Sequence, residues 1–154
     1  MREPTTDHHN VLIVGMSEVP SKADALVCYT ARSGREAIEM LRMFSFDLLL
    51  IGDCPLTDIS SSDLIRKVRK ASPWQRWAKY APHCSKSEER EARSLGVTCI
   101  FHTMPTQAAL CRLAKAARRV RSDLTLPPAA QPAPTSDSSK TPNSGKDLTH
   151  EHCC

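Results

Sequence analysis

Two His/Cys pairs are the first groups in this chain whose types could hold a metal. His83-Cys84 and Cys99-x-x-His102 offer imidazole and thiol ligands of the kind zinc prefers. A third cluster, HEHCC, sets His150, His152, Cys153 and Cys154 close together and could scavenge a transition metal. Each has a plainer alternative. Cys99 lies inside the apolar run VTCIF, where a thiol serves as a small core filler, and HEHCC closes a polar stretch where it can arise by chance. Basic residues make a second kind of candidate. Arg66-Lys67-Val68-Arg69-Lys70 and the set Arg112, Lys115, Arg118, Arg119 and Arg121 could neutralise phosphates. Trp74, Trp77 and Tyr80, beside Arg76 and Lys79, could add a stacking surface, although core and partner contact are the expected roles. Lys and Arg toward a helix C-terminus also complement the helix dipole, and no helix-turn-helix follows to read bases. Enzymatic chemistry has less to work with. There is no G-x-S-x-G elbow and no Gly-rich phosphate loop, in a chain with only 5 glycines. The expectation is a protein that is not an enzyme.

The elements that must position these residues alternate along the chain. Val11–Val14 is a short apolar run ended by Gly15, and Ala25–Thr30 (ALVCYT) has strand composition. Ala37, Ile38, Leu41 and Phe44 recur at helical spacing. Leu48–Ile51, bounded by Asp47 and Gly52, reads as a strand buried on both faces. Leu64, Ile65 and Val68 mark a second helix, and Trp77–Ala81 is a strand interrupted by Lys79. Ser85 and Glu88 form a capping-box pattern for a third helix that Gly96 ends. Val97–Phe101 is the fifth strand. Thr106 caps a last helix whose stripe is Leu110, Leu113, Ala117 and Val120. Helices between short buried strands imply a parallel sheet. Only residues 15–24 separate the first two strands, which is at the floor of ~10–12 residues for a complete crossover. The first helix is therefore expected to be shortened or missing, with Val19-Pro20-Ser21 allowing one capped turn.

Composition agrees with one domain and two appendages. The chain has 154 residues, 40% hydrophobic and 25% charged, with 11 prolines. From Ser122 to Cys154 large apolar side chains nearly vanish, which predicts a disordered Pro/Ser-rich tail. With a loose segment at 1–10, the folded unit is expected at 11–121. The seven cysteines and the lack of an apolar leader predict reduced thiols in a cytoplasmic protein. Apolar runs of four residues fall far short of the ~20 that a membrane helix needs.

The stretch from Val11 to about Arg121 resembles a response-regulator receiver domain, the CheY-like phospho-accepting module of two-component phosphorelay signalling. VLIVG resembles its first strand, and YTARSGREAIEMLR its second-strand exit and helix. FDLLLIGDCPLTD is similar to the phosphorylation strand with its acidic turn. SLGVTCIF is similar to the helix–Gly–fifth-strand junction, and MPTQAALCRLAKAARR to the final Pro and helix. The resemblance implies an α/β, flavodoxin-like, doubly wound five-stranded parallel sheet.

It also implies a chemistry that can be checked residue by residue. A receiver needs a phospho-accepting aspartate at the end of its third strand, and acids after its first strand to help hold Mg²⁺. A Thr or Ser ends its fourth strand and a Lys its fifth. Here Glu18 is the acid after VLIVG, and Asp53 is the carboxylate after LLLI. Counting five from Asp47 lands on Gly52, so Asp53 stands late, and a one-residue slip turns a side chain to the other face. Ala81 and Met104 occupy the Thr/Ser and Lys positions. The resemblance with these departures implies a phosphorylation-incompetent pseudo-receiver acting through a protein partner, such as a histidine kinase or an output protein. Its partner face would present Tyr80, His102, Arg112, Lys115 and Arg119, and a homodimer is a further option because a missing helix leaves sheet uncovered. No cofactor is expected. The alternatives are a working acceptor at Asp53, with Mg²⁺ held by Glu18 and Asp53, or a metal- or nucleic-acid-binding protein on the same fold. Without a reading head, nucleic acid ranks behind protein.

Overall fold

The computed structural model describes residues 8–20 and 25–124. Val11–Val14 and Leu48–Ile51 have no polar side chain to turn toward water, and every one of these residues is buried. Runs of that kind fit a strand covered on both faces. They form the middle of β1 (His9–Val14) and all of β3 (Leu48–Ile51). The other strands are β2 (Leu26–Ala31), β4 (Trp77–Tyr80) and β5 (Val97–Phe101). All pair in parallel in the order β2-β1-β3-β4-β5, the flavodoxin-like doubly wound order. Against β4, β5 carries one extra residue between Val97 and Cys99, and this Thr98 donates its hydroxyl to the Trp77 carbonyl at 2.8 Å.

Four helices follow strands two to five. Each of α1 (Gly34–Met43), α2 (Ser61–Ala71) and α3 (Lys86–Ser94) begins at a serine whose hydroxyl accepts from the backbone N–H of the third helical residue. At α3 the expected box closes, with Glu88 accepting in return from the Ser85 N–H at 2.8 Å. The last helix, α4 (Gln107–Leu124), is capped by Thr106, whose hydroxyl accepts from the Ala109 N–H.

The helices divide unequally between the faces. Ala37 of α1, Leu64, Ile65 and Val68 of α2 and Ala92 of α3 join Leu12, Val14, Leu49, Ile51 and Trp77 in one core cluster. On the other face Val11, Ile13, Leu48, Leu50 and Ala78 meet Leu110 and Ala114 of α4, with half-buried Cys111 and Leu113 of the same helix and Met16, Cys28 and Cys99 at the margin. Val120, expected in the stripe of α4, is instead 37% exposed. An 18-residue helix is ~27 Å long, while a six-residue strand spans ~20 Å, so the helix outruns the sheet.

Among the described residues no helix lies between β1 and β2. Residues 21–24, where a capped turn would fall, are outside them. β1 takes in His9 and Asn10, ahead of the expected 11–121 unit, and α4 runs three residues past its end. The rest of the expected tail, with HEHCC, lies outside the described residues. No described helix is long and apolar enough to cross a membrane.

Candidate functional site

Doubly wound sheets bind ligands outside the carboxyl ends of their strands, at the crevice where the strand order reverses. Here that crevice falls between β1 and β3, and it is closed by backbone. Gly52, the residue after β3, donates its N–H to the Val14 carbonyl at 2.8 Å, and Cys54 donates to the Gly15 carbonyl at 3.0 Å. The β1–β3 ladder thus continues past both strands. Gly15 makes the turn with a φ of 66°, a left-handed conformation that favours glycine. A Cβ built on Gly52 would run into the Gly15 carbonyl oxygen and Met16 Cγ. No side chain of any kind can project from position 52 without moving the β1 exit.

The open space has shifted by one strand. A cleft of about 350 Å³ lies between the β3 and β4 exits, lined by Asp53, Cys54, Lys79, His83, Cys84 and Glu88 among others. Asp53 is exposed there, with the Cys54 thiol 3.9 Å from its Oδ1. Glu18, exposed on the β1 exit, does not line this cleft. Glu88 is already engaged: the backbone N–H and hydroxyl of Ser85 hold its carboxyl below the usual range, and Lys79 adds to the effect. Lys79, paired in register with Ile51, brings a cation into the cleft from inside a strand. The residue that interrupts the apolar pattern of β4 was its signal in the sequence.

Ala81 is buried at the β4 exit, donating its N–H to the Phe101 carbonyl at 2.9 Å, and Met104 is 36% exposed beyond β5. His102 is exposed, its Nδ1 3.3 Å from the Ala81 carbonyl. Tyr80 is half-buried against the cluster beneath α4, along with Phe101 and Leu113. Arg112, Lys115 and Arg119 are exposed on α4, and Arg112 donates to the Ala108 carbonyl of its own helix.

Two of the metal and nucleic-acid alternatives are not realised among the described residues. Trp77 is fully buried in the first core cluster, so Trp74, Trp77 and Tyr80 do not form a stacking surface. Among the described residues no three His, Cys, Asp or Glu side chains converge on a metal position, so His83-Cys84 and Cys99-x-x-His102 do not combine. Cys99 is half-buried against the second cluster, and burial pushes its thiol up, as befits a filler. Mg²⁺ requires hard oxygen donors in near-octahedral array. With glycine at the end of β3 and Glu18 away from the cleft of Asp53, the residues present do not fit it.

Solved structures with the same arrangement identify the architecture. A receiver domain protein (CheY-like) from Methanospirillum hungatei JF-1 superposes with a TM-score of 0.58 at 14% identity, covering 75% of this chain and 98% of its own. The fold is that of a response-regulator receiver domain. A receiver domain of an HD domain-containing protein from Pseudomonas fluorescens Pf-5 gives 0.59 at 14% identity, over 80% of this chain and 96% of that one. A structure described as an adenylate cyclase from Rhodopirellula baltica gives 0.58 at 18% identity, over 76% and 95%. No protein-family model and no curated protein matches the sequence. Within this receiver fold, Gly52, Ala81 and Met104 stand at the ends of β3 and β4 and after β5.

Proposed function

We propose that this chain is a pseudo-receiver: a response-regulator-like signalling protein that works by binding a protein partner and not by accepting a phosphoryl group. One observation carries the reading. The end of β3, from which a receiver presents its acceptor, is a glycine whose side-chain space is taken by the Gly15 carbonyl and Met16. The lack of a hydroxyl at Ala81 and of an ammonium at Met104 points the same way, because an incoming phosphoryl group would find neither a hydrogen-bond donor nor compensating charge there. The partner, a histidine kinase or an output protein of a cytoplasmic pathway, would meet the surface around Tyr80, His102, Arg112, Lys115 and Arg119.

Intact-mass spectrometry with acetyl phosphate and Mg²⁺ tests this reading, with Asp53→Asn beside the unaltered protein. The expected result is no added phosphoryl group on either. A gain on the unaltered protein that Asp53→Asn abolishes would overturn it and make Asp53, with Lys79 across the cleft, a working acceptor.

A further inference from the structure

The search for unpartnered surface leads away from the sheet edge, to the outer side of α1 and α2. Two adjoining cavities of about 470 and 370 Å³ run between these helices and share Ile38, Arg42 and Lys67. Their charges differ. The half near the N-terminus of α1 is mixed: it holds Arg35 and Glu39, and Asp58, whose two carboxylate oxygens accept from the Gly34 and Arg35 N–H groups at 2.8 Å each. The half near the helix C-termini has an apolar floor of Ile38, Leu41, Val68 and Ala71, with Arg42 and Lys67 on its rim and no acid. Both cations are exposed, and among the described residues neither takes part in a salt bridge. The neighbouring cations are committed: Arg66 pairs with Asp63, and Arg69 donates to the Leu95 carbonyl.

We propose that this groove docks an acidic amphipathic helix of a partner protein. A helix laid between two others inserts apolar side chains at i, i+3, i+4 and i+7, and the floor here offers aliphatic surface to receive them. Arg42 and Lys67 rim the apolar half, which no acid lines; Lys67 acts on Asp63 only at a distance and neither cation is held in a salt bridge among the described residues, so this half selects carboxylates beside those apolar anchors and repels a basic helix. The groove is on the sheet face opposite α4, so this contact does not depend on how the chain fares as a phosphoryl acceptor. It leaves the surface around His102 and Arg119 free for a second protein.

The test uses the full chain and a labelled amphipathic peptide with leucines at i, i+3, i+4 and i+7 and glutamates on both flanks, beside its lysine-flanked counterpart. Fluorescence anisotropy should show saturable binding of the glutamate peptide only, weakening with salt. The double variant Arg42→Glu/Lys67→Glu, both positions being exposed, should keep its circular dichroism and bind roughly tenfold or more weakly. No binding, or binding that the double variant leaves unchanged, would overturn the proposal. So would a concentration-dependent dimer in sedimentation that the double variant dissolves, since the groove's occupant would then be a second copy. Tighter binding of a peptide of residues 125–154 would overturn it too, in favour of the chain's own C-terminal segment.

Discussion

At Gly52 the β1 exit and the end of β3 come so close that a methyl group has nowhere to go. Its would-be neighbours are a backbone carbonyl and a side chain one residue beyond it, so relief requires moving the main chain. Gly52→Ala is therefore expected to cost about 1–3 kcal/mol, the range for overpacked interiors, read as a lower urea midpoint with an unchanged slope. Gly52→Asp should cost no less and should still not take up phosphate from acetyl phosphate. Asp58 carries a second prediction at this scale. The N–H groups of Gly34 and Arg35 hold its carboxyl below its ordinary value of 3.8. A lowered native value means that the carboxylate stabilises the fold above the ordinary value and that this contribution fades as pH falls through the native one. Asp58→Ala should lower the melting temperature at neutral pH, and the gap from the unaltered protein should close in acid.

Among the elements, α4 carries the most, because among the described residues it is the one helix that covers its face of the sheet. Leu110 is fully buried there against strands over which no other described helix packs. Leu110→Ala is expected to cost about 2–5 kcal/mol, and chemical denaturation should place it well above Leu64→Ala, whose face three helices share. Most of these elements were legible in the sequence because each announces itself locally. Two short apolar runs had to be two-faced strands, and Ser85 with Glu88 had to be a helix start. Other features were hidden because they are decided by non-local contact. Val120 fits its stripe by spacing, but no spacing tells where the sheet beneath a helix stops. Trp77 stands beside Arg76 and Lys79 in the sequence, and its core role is settled by the strand register, which turns it inward and sends Lys79 toward the cleft. Counting along the chain located Gly52 at the acceptor position, but what fills its side-chain space comes from β1, far away in sequence.

For the molecule as a whole, the sheet order and the two-sided core are those of a receiver fold. The crevice between β1 and β3 is zipped by the Gly52 and Cys54 amides, and the remaining opening sits between β3 and β4. The two surfaces proposed above for partners, the groove of α1 and α2 and the region around α4, lie on opposite sides of the sheet. The zipped edge also bears on how this chain can be altered. An acid at position 52 collides with the β1 exit as it stands. Shifting the exit first breaks the Cys54 hydrogen bond and unseats Gly15 from a turn in which its own Cβ would lie 2.8 Å from the Cys54 carbonyl. Either step taken alone lowers stability before any benefit can appear. Opening this edge is therefore expected to need paired changes at position 52 and at the β1 exit, each compensating the loss the other causes.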